Sequence, residues 1–119
     1  MTQIFIAVQE QEAKRRRIAA LSGELEALYL RLQMLLEDVQ THHQNIRAVK
    51  DDAKARGDWA AVSQMCRPHH DAVTKMERSY EVQSATARDL RLELIKLGAV
   101  PREVPPELVH PNRLRPRRK

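Results

Sequence analysis

The chain has 119 residues, of which 31% are charged and 3% aromatic, and its formal net charge is +5. A chain of this length builds a single domain, and so few aromatic residues are typical of elongated helical proteins rather than of compact α/β enzymes. No glycine-rich nucleotide loop, paired-carboxylate site or nucleophile and base pair stands out in the sequence. We therefore expect the protein not to be an enzyme.

The single cysteine, Cys66, excludes an internal disulfide within the chain. No apolar run reaches the roughly 18 residues of a membrane-spanning helix. The apolar stretch 4–8 precedes the cations at 14–17, whereas a signal peptide has its charged region first. These features predict an intracellular, cytoplasmic protein that does not bind membranes.

The first predicted element is a long helix that starts near residue 3 or near residue 12 and ends at Arg56. Gly57 supplies a left-handed stop, and Asp58 is the expected N-cap of the next helix. The second helix is predicted from Trp59 to Leu97. Gly98, with a proline three residues later, ends it.

Apolar residues recur along both predicted helices at alternating spacings of three and four, which is the pattern of a coiled-coil seam. In the first helix the seam contains Ile18, Leu21, Leu25, Leu28, Leu32, Leu35, Val39, His42, Ile46, Val49 and Ala53. In the second it contains Val62, Cys66, His69, Val73, Met76, Tyr80, Gln83, Ala87, Leu90, Leu94 and Leu97, after Trp59. A fold-back at 57–58 places the seam residues of the two helices opposite each other in register, from Ala53 with Trp59 to Ile18 with Leu94, and places Leu97 opposite Lys14. The sequence therefore predicts an all-α fold, a long antiparallel two-helix coiled-coil hairpin over residues 14–98.

Two apolar surfaces fall outside this seam and predict contacts with protein partners. Residues 1–13 extend past the end of the second helix as an apolar overhang, whose interface candidates are Ile4, Phe5 and Val8. A second stripe follows the first helix at the same spacing and consists of Ala20, Gly23, Ala27, Leu30 and Met34. Tyr29 and Leu36 widen this apolar surface. A contiguous apolar stripe indicates an interface, so we expect oligomerisation or packing into a larger helical assembly, with a homodimer as the simplest closed form.

Residues 99–119 form a basic, proline-rich tail that we expect to be extended and to become ordered only by docking on another surface. This tail holds six Lys and Arg residues against two Glu, so most of the net charge lies here. The cations in and beside it are candidate phosphate ligands. They are Lys14, Arg15, Arg16 and Arg17 at the open end of the hairpin and Arg113, Arg115, Arg117, Arg118 and Lys119 in the tail. The pairing of the helices predicts that these two cationic regions converge.

A polar layer interrupts the seam at His42 and His69, with Cys66 one turn away and His70 adjacent. Imidazole and thiolate groups at these spacings suit a tetrahedral zinc ion, although a second cysteine is missing. The alternative interpretation is a hydrogen-bonded layer that fixes the register of the two helices. We expect no cofactor, with a zinc site as the alternative.

These features favour a non-enzymatic structural or adaptor protein that docks to protein partners within a larger assembly. The first alternative is a small nucleic-acid-binding hairpin that contacts phosphates through Lys14–Arg17 and the tail. A more remote alternative starts from Asp51 and Asp52 at the hairpin tip. In its layout, an acidic turn at the end of a long helical hairpin, this tip is similar to the coiled-coil tips that some transcription factors insert into the RNA polymerase secondary channel. Such a role would make the protein a polymerase regulator.

Overall fold

The computed structural model describes residues 2–117, and the regular elements in this range are three helices. Helix α1 spans Thr2–Arg56, α2 spans Val62–Lys96 and α3 spans Pro106–Val109. The Cα atoms extend over 84 × 23 × 14 Å. Because a helix rises about 1.5 Å per residue, the 55 residues of α1 account for the long axis. The predicted all-α fold with two long packed helices is confirmed, and the earlier of the two predicted starts of the first helix is the one observed.

The connection between α1 and α2 is longer than predicted. Gly57 has a φ of +68°, and Asp58 N donates a 3.1 Å hydrogen bond back into the last turn of α1, which closes the helix as expected. However, the predicted start of the second helix at Trp59 and the predicted N-cap at Asp58 are wrong. Asp58 Oδ1 accepts a hydrogen bond from Ala60 N at 3.1 Å, and this local turn delays the start of α2 to Val62.

Helix α2 ends at Lys96, one residue before the predicted end, and Gly98 is the predicted stop. Gly98 has a φ of +82°, and its N–H donates to Ile95 O at 2.9 Å while Ala99 N donates to Leu94 O at 3.0 Å. This pair of bonds satisfies carbonyls that the end of the helix would otherwise leave free, and it requires the left-handed conformation that glycine adopts without strain. After Gly98 the chain reverses direction and runs antiparallel to α2.

Helices α1 and α2 pack against each other in opposite directions. Arg17 contacts Glu93 near the open end, and His42 contacts His69 near the middle, as the predicted register requires. Most seam positions are buried. In α1 they are Leu21, Leu25, Leu28, Leu32, Val39, Ile46 and Ala53, and in α2 they are Cys66, Val73, Tyr80, Ala87, Leu90 and Leu94.

Three buried residues of α1 lie outside the seam: Tyr29, Leu36 and Gln40. They are covered by residues 99–117 of the tail, which run back along both helices and add Leu108 to the same core. The expectation that the tail contains no helix is wrong, because Pro106–Val109 forms one turn with a proline at its start, where the missing N–H costs nothing. The tail docks on its own helices.

Candidate protein-interaction surfaces

The first half of the tail lies in a groove between α1 and α2, where two tyrosines hold it. The Leu108 side chain is buried in one cluster with Tyr29 and Tyr80. Tyr29 OH donates to Arg102 O, and Tyr80 OH donates to Leu108 O, both at 3.3 Å. The Arg91 guanidinium donates to Tyr29 OH at 3.0 Å and also to Arg102 O. These bonds satisfy the polar ends of two otherwise buried aromatic side chains.

The second half of the tail is held by Gln40, which is only 3% exposed. Gln40 Nε2 donates to Arg115 O at 2.8 Å, and Gln40 Oε1 accepts from Arg117 N at 3.1 Å. One ring nitrogen of His43 lies 3.0 Å from Leu114 O. Sequence reasoning missed Gln40, because a glutamine outside the seam is indistinguishable from a solvated surface residue until its partner is known.

Several cations of the tail are engaged within the molecule. The Arg113 guanidinium lies 5.2 Å from the centroid of the Tyr80 ring, within the range of a cation–π contact. Arg117 pairs with Glu37 at 2.9 Å, whereas Arg115 is exposed. The two last candidates, Arg118 and Lys119, lie outside the residues that the structure describes.

The predicted convergence of the two cationic regions is wrong. The tail runs away from the open end of the helix pair, and Arg117 reaches Glu37. Arg17 and Glu37 are about 30 Å apart along α1 at about 1.5 Å per residue. Arg17 itself pairs with Glu93, and Lys14 is exposed. The structure therefore presents two separate cationic regions.

The tail contacts shift two pKa values. Burial raises the pKa of the Tyr80 phenol, and the positive charge of Arg113 and its hydrogen bond oppose that shift. The pKa of Glu107 is lowered by a hydrogen bond from its own backbone, by the Gln33 amide and by the charge of Arg102. Both shifts favour the protonation states that prevail near neutral pH.

Stability is expected to decline in strong alkali because of Tyr80. Since folding raises the pKa of this phenol, its contribution is complete below about pH 10 and is lost as pH rises through the folded-state pKa. Urea unfolding from pH 8 to 11.5 measures this loss. Tyr80→Phe should show a smaller alkaline decline than the parent protein, and equal declines would contradict the assignment.

The second apolar stripe of α1 remains exposed. Leu30 is 60% and Met34 65% exposed, and Ala20, Gly23 and Ala27 are exposed as well. At about 100° per residue, this stripe lies about 130° around α1 from the face that the tail covers. Tyr29 and Leu36, which the sequence groups with the stripe, belong instead to the tail-facing side.

The overhang is an exposed extension of α1. Ile4 is 71% exposed, and Phe5 and Val8 are exposed too. Ile6, which is absent from the predicted interface, is also exposed. Because consecutive residues of a helix differ by about 100°, the apolar run 4–8 covers every side of this helix. Such a surface is typical of a segment that packs into a partner.

The two histidines of the seam form a direct contact. His42 Nδ1 lies 2.9 Å from His69 Nδ1, and the ring centroids are 5.2 Å apart. Cys66 is buried and His70 is exposed. Within residues 2–117, no group of three or more His, Cys, Asp and Glu side chains is arranged to hold a metal ion. The geometry corresponds to the hydrogen-bonded layer, in which one ring nitrogen donates to the other.

Comparisons with models of protein families, with curated proteins and with solved structures find no match to this chain. None of the helices in residues 2–117 combines the length and apolar character needed to cross a membrane.

Proposed function

We propose that this chain is a non-enzymatic structural or adaptor protein that docks to protein partners within a larger assembly. Its two long helices form a coiled-coil hairpin that acts as a rigid spacer, and its apolar surfaces bind the partners. The observation that carries this proposal is the exposure of the overhang and the stripe on one continuous 55-residue helix. A helix of this length holds two docking surfaces at a fixed separation.

The chemistry of the two surfaces supports protein partners. Isolated apolar residues on a surface are ordinary, but a contiguous set marks an interface because its burial removes apolar area from water. Leu30 and Met34 lie one turn apart on the same face, with small residues at positions 20, 23 and 27 that allow a partner helix to approach closely. A helix from a partner is therefore the expected occupant of the stripe.

The double substitution Leu30→Glu with Met34→Glu is expected to abolish association through the stripe. Two carboxylates in a buried contact would lose solvation without gaining a partner, whereas stability of the free chain should change by less than about 0.5 kcal/mol at each exposed site. Sedimentation velocity measures self-association, and affinity capture with quantitative mass spectrometry measures partners. Val82→Glu is the matched control, since Val82 is equally exposed on α2. A variant that keeps its mass and its partners would show that the stripe is not an interface.

A second candidate function is phosphate contact with nucleic acid. Lys14, Arg15 and Arg16 are exposed near the open end, which favours it. The tail supports this nucleic-acid function less than the six cations of the tail indicate, because Arg113 stacks on Tyr80 and Arg117 pairs with Glu37. Contacts of this kind are independent of base sequence and weaken as salt increases.

The remote alternative, a polymerase regulator that acts through the hairpin tip, has little support. Asp52 Oδ1 accepts a 3.1 Å hydrogen bond from Arg56, and Asp58 Oδ1 accepts one from Ala60 N. These carboxylates thus have local structural roles at the turn. Asp51 is exposed beside them.

A further inference from the structure

An open cleft of about 630 Å³ lies between the last part of the tail and α1, and its lining is rich in cations. Arg113, Arg115 and Arg117 all contribute to this lining, together with His110. Among the described residues, 2–117, Glu107 supplies the one carboxylate of the lining. A cleft of this volume is in the range of small-molecule sites, and its charge favours an anionic occupant.

Two of the three arginines have no carboxylate partner in the part of the chain that the structure describes. Arg117 pairs with Glu37 at 2.9 Å, but neither Arg113 nor Arg115 forms an ion pair within residues 2–117. Glu107 accepts a hydrogen bond from an amide of α1 instead of from an arginine. The two unpaired guanidinium groups match the charge of about −1.5 to −2 that a phosphate group carries near neutral pH.

The free hydrogen-bonding groups of the cleft are mainly donors. His110 Nδ1 accepts from Asn112 N at 3.1 Å, so the proton of the neutral ring lies on Nε2, which can donate to a ligand. The Glu107 carboxylate and Gln40 Oε1 already accept hydrogen bonds from the chain itself. An occupant that satisfies this lining must therefore supply acceptors, as phosphate oxygens do.

The Arg113 guanidinium is fixed in position but lacks one acceptor. It lies 5.2 Å from the centroid of the Tyr80 ring, and its Nη1 donates to His110 O at 3.2 Å. Its Nε is buried without a hydrogen-bond partner. A buried N–H of a charged group without an acceptor is unfavourable, so an anion held beside this guanidinium would offset that cost.

Gln40 fixes the backbone that carries the other two arginines. Its Nε2 donates to Arg115 O at 2.8 Å, and its Oε1 accepts from Arg117 N at 3.1 Å. The Arg47 guanidinium donates to Arg117 O at 3.0 Å. Because the backbone is already held, less conformational freedom is lost when these side chains bind a ligand.

We propose that this cleft is a binding site for a small molecule that carries phosphate, and that Arg113 and Arg115 contact the phosphate oxygens. The site is separate from the stripe and the overhang, so this inference goes beyond the proposed function and does not depend on it. The apolar part of the lining would contact an organic group attached to the phosphate. It consists of Leu36, Pro106 and Pro116.

Isothermal titration calorimetry of the full chain near neutral pH, in about 150 mM NaCl, tests the site with pyrophosphate and with ADP as probes. Saturable binding of one ligand per chain is expected. Arg115→Gln should weaken this binding about tenfold or more, the effect of losing a hydrogen bond to a charged group. Arg115 is exposed and unpaired, so the variant should fold normally, and circular dichroism verifies this.

Arg78→Gln is the matched control for this experiment. It removes the same charge from an exposed arginine of α2 that does not line the cleft, so the affinity should change less than about twofold at this salt concentration. Gln40→Ala changes no charge but frees the backbone of the tail arginines. It should weaken binding about two- to tenfold, which a general attraction between charges would not predict.

The two probes distinguish the sources of the phosphate group. An affinity for pyrophosphate at least equal to that for ADP assigns the site to inorganic phosphates, and tighter binding of ADP assigns it to an organic phosphate; both results support the proposal. Absence of binding to the folded parent chain overturns it, as does equal weakening by Arg115→Gln and Arg78→Gln. Binding of a single-stranded RNA without binding of either small probe also overturns it and would assign these arginines to the nucleic-acid function.

Discussion

Tyr80→Ala is expected to destabilise the protein by about 3–5 kcal/mol, the usual range for removing a large buried aromatic side chain. The Tyr80 ring is almost completely buried where α1, α2 and the tail meet. Its removal leaves a cavity and also eliminates the contact with Arg113 and the hydrogen bond to Leu108 O. Urea unfolding followed by circular dichroism at 222 nm measures the change in free energy.

Tyr80→Phe separates packing from hydrogen bonding. It keeps the ring and removes only the hydroxyl that donates to Leu108 O, so it should cost about 1 kcal/mol. If both variants lost the same small amount, Tyr80 would not be part of a packed core. If the phenylalanine variant lost as much as the alanine variant, the hydrogen bond rather than the ring would dominate.

Leu108→Asp is expected to release the tail while leaving α1 and α2 folded. Leu108 is 6% exposed, and the burial of one leucine contributes about 1.5–3 kcal/mol to docking. Losing that amount should raise the population of the open tail, and with it the rate of tryptic cleavage after the tail arginines, by about 10- to 150-fold. Limited proteolysis with mass spectrometry measures the rate and the cleavage sites.

Val109→Asp is the matched control for this experiment. Val109 is the next residue in the same helical turn but is 61% exposed, so an aspartate there should leave the cleavage rate nearly unchanged. Equal acceleration in both variants would mean that charge, not the lost anchor, releases the tail. Slow cleavage of the Leu108→Asp chain would show that the hydrogen bonds to the carbonyls hold the tail by themselves.

The helix pair was largely predictable because its determinants are local or periodic. Gly57 and Gly98 both adopt positive φ values where the sequence predicts helix ends. The spacing of three and four places His42 opposite His69, as observed. The start of α2 was the exception, since Asp58 is a good cap residue in isolation but bonds within the turn instead.

The exposed stripe and overhang were predicted as apolar surfaces, and the structure leaves them uncovered. Their role as partner interfaces remains a prediction. The sequence also identified Tyr29 and Leu36 as apolar residues beyond the seam, but it assigned them to the same surface as Leu30. Residues of α1 can be assigned to the tail-facing side or to the exposed side only when the position of the tail is known.

By itself, the sequence determined the all-α class, the two long helices, their antiparallel pairing and the apolar character of the exposed surfaces. These properties follow from periodicity, glycine stops and side-chain polarity, which can be read along the chain. Only the tertiary structure decided where the tail lies, that Gln40 is buried, and that Arg113 and Arg117 are engaged within the molecule. The physical reason is that the tail is held mainly through its carbonyl oxygens, which every residue possesses and no sequence pattern distinguishes.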